Sequence, residues 1–143
     1  MREILFKAKT TKKTDPNHAL NETWVTGNFI MTNEKYYIHP VGAIGNVIVI
    51  HEIQPDTLCR HTGLPDKNGN KIWENDIVDI REHSITVNGL YKVIYCEKNH
   101  CYALKRSDDF HNNFFTFSEL NGFNESSEVI GNIFDNPELC EEV

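Results

Sequence analysis

Apolar and polar residues alternate with period two along most of this chain, and that pattern settles its broad class. Successive side chains of a strand point to opposite faces, so a half-buried strand reads apolar-in, polar-out. Ile4, Phe6 and Ala8 alternate with Leu5 and Lys7; WVTGNFIM (24–31), YYI (36–38) and NVIVIH (46–51) follow. A second series runs from Asp76 to Ile80, Ser84 to Val87, Leu90 to Glu97 and Cys101 to Lys105. β-Branched and aromatic residues fill these runs, as a pleated, half-buried surface prefers. Between the first two strands, TTKKTDPNHALNE reads as a polar loop broken at Asp15-Pro16-Asn17. Helix is scarce. Phe117 to Leu120 reads as one turn, and Asn136-Pro137-Glu138 carries a helix start signal with room for only a short terminal turn.

Two Asn-Gly dipeptides punctuate the second series, Asn68-Gly69 and Asn88-Gly89. A two-residue hairpin turn of type I′ needs positive φ at both central positions, which Asn and Gly supply at little steric cost. In the first hairpin such a turn faces Lys67 with Asn70 and Asp66 with Lys71, a surface ion pair. Asn88-Gly89 is expected to turn SITV back onto LYKVIYC. Pro65 lacks an amide donor and marks a strand with one open side.

The stretch DKNGNKIWEND (66–76) has the look of a calcium loop. Such a loop places oxygen ligands at positions 1, 3 and 5, Gly at 6 and a bidentate Glu at 12. With Asp66 at position 1, Asn68 and Asn70 fit, but Lys71 stands at 6 and Ile77 at 12. An ammonium replaces the turn glycine and a hydrocarbon replaces two oxygens. The calcium reading fails, leaving a hairpin, a turn at Glu74-Asn75-Asp76 and a buried strand, Ile77 to Ile80.

The run TGLPDKNGNKIWENDIV (62–78) resembles the signature of the YopX family, small proteins of phages and prophages. Its members commonly read T-G-L-x-D-K-N-G-x-K-I-[FYW]-E-[GN]-D-I-V. The start, MREILFKAK, is similar to the family's M-R-E-I-K-F-R-A, and EVIGNIFDNPEL (128–139) resembles E-V-I-G-N-I-Y-[ED]-N-P-E-L. These matches bracket the chain, which reads as a full-length member; Thr10 to Val49 carries no matching motif. The resemblance implies a mainly β fold and a phage or prophage setting in a bacterium. It implies no activity and carries over no catalytic residue.

A length of 143 residues suits a single domain with its own core. The expected fold is mainly β with very little helix: an N-terminal antiparallel sheet over residues 1–54 and a small SH3-like β-barrel over 55–143. No apolar run nears the ~18 residues of a membrane span, and MREILFKAKTTKK has no small-residue cleavage site. A cytoplasmic location is expected. Cys59, Cys96, Cys101 and Cys140 suit reduced thiols there, and none forms a C-x-x-C pair. Cys59-Arg60-His61 and Cys96-x4-Cys101 with His100 do not match the spacing of a structural zinc site. No metal or cofactor is expected.

The net charge of −7 sits wholly in residues 101–143, with 2 Lys+Arg against 9 Asp+Glu. The first thirteen residues carry Arg2, Lys7, Lys9, Lys12 and Lys13 against Glu3 alone. Such a balance disfavours loose phosphate binding over the whole surface. The basic first strand is expected to lie against the acidic C-terminal segment of the same chain rather than to make head-to-tail or dimeric contacts.

Three functional classes meet these residues. The first is a non-catalytic binding module with a protein partner, its candidate contact aromatics Trp73, Tyr95 and Tyr102. The alternative within that class is single-stranded nucleic acid, bound where Arg60, Lys67, Lys71 and Arg81 surround Trp73. The second is an enzyme. Among seven histidines (His18, His39, His51, His61, His83, His100, His111), His51 with Glu52 or His61 with Asp66 make pairs on paper. No G-x-S-x-G, G-x-G-x-x-G or G-x-x-x-x-G-K-[ST] is present, so the chain is not expected to be an enzyme. The third is a self-associating assembly or accessory protein.

Overall fold

A computed structural model describes residues 4–11, 23–40, 50–81, 87–106, 114–120 and 122–140. Among the described residues eleven strands run in chain order: β1 (Phe6–Lys9), β2 (Trp24–Thr32), β3 (Lys35–Pro40), β4 (His51–Glu52), β5 (Cys59–Pro65), β6 (Lys71–Trp73), β7 (Asp76–Ile80), β8 (Gly89–Cys96), β9 (Cys101–Arg106), β10 (Phe114–Thr116) and β11 (Ser127–Asn132). Helix among the described residues is limited to 3-10 turns at Pro55–Thr57, Phe123–Ser126 and Pro137–Leu139. The fold is mainly β. The chain divides into two compact units, Met1–His61 and Thr62–Val143, with the boundary inside β5.

In the first unit the strands are antiparallel and lie in the order β4-β3-β2-β1-β5. Ala8, Ile38 and Ile53 are fully or nearly fully buried, and Phe6, Val25, Phe29, Tyr36 and Leu58 pack around them. Phe29 sits between Phe6 and Tyr36, with ring centroids 5.6 and 5.8 Å away. Gly27 is required here because a Cβ would run into the backbone carbonyl of His39 on β3. The β2–β3 connection is a two-residue turn closed by the Thr32–Lys35 pair, with φ of +46° at Asn33 and +67° at Glu34. Positive φ at both central positions is the type I′ signature.

In the second unit β5 and β6 form a hairpin, and five antiparallel strands lie in the order β10-β9-β8-β7-β11. Ile72, Val78, Ile80, Tyr91, Val93, Leu104, Leu120 and Phe123 form the core. Tyr91 is wholly buried, and its hydroxyl donates to the Val87 carbonyl at 2.6 Å, so the phenol is satisfied without water. Phe117 and Phe123 meet at 4.7 Å across the turn that follows β10. β10 and β11 are the two edges of this sheet, and no closed barrel forms among the described residues.

Both Asn-Gly turns differ from the sequence expectation. At the first, Asp66 N–H donates to the Asn70 carbonyl at 2.7 Å and Gly69 N–H to the Asp66 carbonyl at 3.1 Å. The loop therefore holds three residues, Lys67 to Gly69, and only Gly69 is left-handed, at φ +84°. Asp66 faces Asn70, so the expected Lys67–Asn70 and Asp66–Lys71 pairings do not form. Local side-chain bonding from Asp66 favours this longer loop. At the second, Gly89 is the first residue of β8 and pairs with Ile80 of β7 rather than closing a turn with Asn88. The strands expected from Asn46 and Ser84 fall outside the described residues except at Ile50, His51 and Val87, as does the loop break at Asp15-Pro16-Asn17.

Candidate functional site

The signature hairpin is built around one carboxylate. Asp66 is 5 % exposed. Its Oδ1 accepts from the amides of Asn68 and Asn70, both at 2.9 Å, and its Oδ2 accepts from the amide of Val129 on β11, also at 2.9 Å. Burial pushes the carboxyl up, but the amides of Val129, Asn70 and Asn68 and the Asn70 side chain outweigh it, holding Asp66 below its ordinary value. Next along the chain, Lys67 N–H donates to the Ser127 carbonyl at 3.0 Å. Ser127 and Val129 thus turn their outward backbone groups to the hairpin tip, while β11 pairs with β7 on its other side. The oxygens that suggested a calcium ligand are spent on backbone donors.

The chain's other end closes the same assembly. In the Trp73–Asp76 turn, Asp76 Oδ2 accepts from the Trp73 amide at 2.8 Å, and Asn75 takes φ +73°. The Asn75 amide donates to Val93 at 2.8 Å, and its carbonyl accepts from Ile133 at 3.0 Å. Asn132 Oδ1 accepts from Phe134 and Asp135 at 3.0 and 2.9 Å, and Asn136 Oδ1 accepts from Asn132 at 3.3 Å. Gly131 leaves the space that Asn136 fills, since a Cβ there would meet the Asn136 amide. A register shift between Val129 and Gly131 brings this turn into place.

The basic residues singled out in the sequence sit on different elements. Arg60 lies on β5 in the first unit, opposite Phe6. Lys67 is exposed, 3.9 Å from Glu128, and Lys71 is exposed at the start of β6. Arg81 follows β7, its Nε 2.9 Å from Asp79. Trp73 is 7 % exposed, so its indole does not offer an open face for a base to stack on. Tyr95 and Tyr102 are register partners with rings 5.4 Å apart, edge to face.

A different basic and aromatic cluster lies on the first unit. Lys7 Nζ and Lys9 Nζ stand 4.8 and 5.5 Å from the centre of the Trp24 ring. Lys9 pairs with Trp24 and Lys7 with Thr26, on the face opposite Phe6 and Ala8. All three side chains are half-buried. The ring's negative face attracts both ammonium groups. In the sequence, K-A-K on an alternating strand puts both lysines on one face, but nothing local names Trp24 as their partner.

The model of the YopX protein family matches residues 10–141 of the chain. The chain belongs to the YopX family. In this YopX protein the central signature (62–78) and the EVIGNIFDNPEL motif (128–139) are two halves of one hydrogen-bonded piece. A comparison with curated proteins finds no match.

His51 with Glu52 and His61 with Asp66 are the histidine–carboxylate pairs drawn from the sequence. His51 and Glu52 are adjacent on β4 and point to opposite faces. Asp66 is held by its amides, and His18, His83 and His111 lie outside the described residues. Among the described residues no group of three or more His, Cys, Asp or Glu is placed to hold a metal ion. Among them, too, no helix is long and apolar enough to cross a membrane.

Proposed function

We propose that this YopX protein is a non-catalytic binding module of a phage or prophage, acting in the bacterial cytoplasm, and that its partner is an acidic protein surface. The observation that carries this reading is the pair of ammonium groups held over Trp24. Two positive charges fixed on a strand face lose little freedom when they meet carboxylates, which is the advantage of a preorganised contact. The proposal includes an SH3-like plan for the second unit. Its support is the order β11-β7-β8-β9-β10, with a 3-10 turn just before the last strand.

Single-stranded nucleic acid is the weaker reading. Stacking needs an open ring beside the charges. Trp73 is buried, Lys67 and Arg81 lie beside carboxylates, and Lys7 and Lys9 already lie over the Trp24 ring.

The test is affinity capture from the host cell, with and without nuclease, using the wild type and a Lys7→Glu/Lys9→Glu variant of equal thermal stability. A protein retained after nuclease and lost with the variant is the expected result. Capture abolished by nuclease, or unaffected by the double reversal, overturns the proposal.

A further inference from the structure

We propose that Cys96 and Cys101 are a thiol–disulfide pair, a modification site at the tip of the β8–β9 hairpin. The two residues are register partners, Cys96 ending β8 and Cys101 opening β9. Direct partners in an antiparallel ladder hold their Cα atoms about 4.5 or 5.5 Å apart, according to the kind of pair. A disulfide spans Cα separations of about 4.4 to 6.8 Å. Either kind of pair fits without backbone movement, and both side chains leave the same face of the sheet. Both thiols are free and partly exposed, whereas Cys59 is buried with its Sγ donating to the Thr57 carbonyl at 3.2 Å.

The neighbourhood fixes this register from both sides. Inward, the next pair is Tyr95–Tyr102, whose rings meet edge to face at 5.4 Å. Outward, the strands are joined by Glu97 to His100, with the His100 amide donating to Glu97 at 3.4 Å and His100 at φ +52°. A slip of one residue would place the two thiols on opposite faces of the sheet.

The chemistry uses a low-molecular-weight disulfide as oxidant. The thiolate of one cysteine attacks it, breaking its S–S bond, forming a mixed disulfide and releasing one small thiol. The other thiolate attacks the protein-side sulfur of that mixed disulfide, forming the Cys96–Cys101 bond and releasing the second small thiol. Two electrons pass from the cysteine pair to the oxidant, whose sulfurs take up the two thiol protons. The bridge ties the tips of β8 and β9 covalently, and a reducing dithiol reverses it.

The test is to equilibrate the folded full chain with oxidised glutathione, trap the remaining thiols and read intact and peptide masses. The expected wild-type product has lost two hydrogens and yields a peptide pair joined through Cys96 and Cys101. A Cys101→Ser variant is expected to stop at one glutathione on Cys96. A wild type that keeps all its thiols free, retains glutathione on either cysteine, or bridges through Cys59 or Cys140 overturns the proposal.

Discussion

The amide of Val129 donates to Oδ2 of Asp66 across 63 positions of sequence, at 2.9 Å. That bond joins the tip of the β5–β6 hairpin to an edge strand of the second sheet, and the other oxygen of the same carboxylate shapes the hairpin loop. One side chain thus performs a local task and a long-range one.

Asp66→Ala removes three hydrogen bonds to a charged acceptor and strips the Val129 amide of its partner. Bonds to charged groups contribute roughly 1.5–3 kcal/mol each and are not additive, so a loss of about 3 kcal/mol in urea denaturation is expected. A loss below about 1 kcal/mol would mean the clamp contributes little.

The same group sets a pH dependence. Its pKa is lowered by folding from an ordinary value of 3.8, so the stability it contributes is fully present above that value and falls away as pH drops through the folded value. The stability difference between wild type and Asp66→Asn is therefore expected to stay flat from about pH 7 to 5 and to narrow below about pH 4. Denaturation midpoints taken across that range check it. A gap that widens on acidification contradicts the assignment.

Lys67, one residue on, is expected to contribute little. Its ammonium is 3.9 Å from Glu128 and both side chains are near half exposed, so water and salt screen the pair. Lys67→Ala is expected to change stability by less than about 0.5 kcal/mol, whatever the ionic strength. The contrast with Asp66 separates two charged neighbours of one motif by burial alone.

Gly27→Ala and Gly131→Ala test two kinds of close approach. At Gly27 the obstacle is the backbone carbonyl of His39, which cannot yield without opening the β2–β3 ladder. Overpacking of that kind costs about 1–3 kcal/mol. At Gly131 the obstacle is the Asn136 side chain, which can rotate away at the loss of its bond to the Asn132 amide. The Gly131→Ala penalty is expected to shrink in an Asn136→Ala background, and the double-mutant cycle measures that coupling.

Tyr91→Phe keeps the buried ring and removes the hydroxyl that satisfies the Val87 carbonyl. A loss of about 1–2 kcal/mol is expected in thermal or chemical unfolding. Retention of full stability would show that this bond is replaced by another donor.

The strands that alternate cleanly were legible in the sequence: WVTGNFIM, DIVDI, LYKVIYC and CYALK all lie in strands. The strand leading into the first hairpin was legible at Pro65 and extends back to Cys59 as β5, through Gly63 at φ +91°. β10 and β11 are short, and β11 is interrupted by its register shift. The turn chemistry misled for a physical reason. Asn-Gly favours a type I′ turn only when nothing nearby competes, and Asp66 competes by accepting from amides two and four residues on. The type I′ geometry appears instead at Asn33-Glu34, a pair with no glycine. Trp73 looked like a contact aromatic because burial is not written in a residue's identity. The Lys7–Trp24–Lys9 cluster and the Asp66–Val129 bond depend on which strands become neighbours, and local sequence does not carry that information.

The seal on β11 has a consequence for how the protein keeps apart from its own copies. With the hairpin tip in place, the outward carbonyl of Ser127 and amide of Val129 are already bonded. Take the carboxylate away and the Val129 amide is left open on an edge strand, the kind of donor to which another chain's strand can add. The hairpin that first looked like a cradle for a cation covers part of an otherwise open sheet edge.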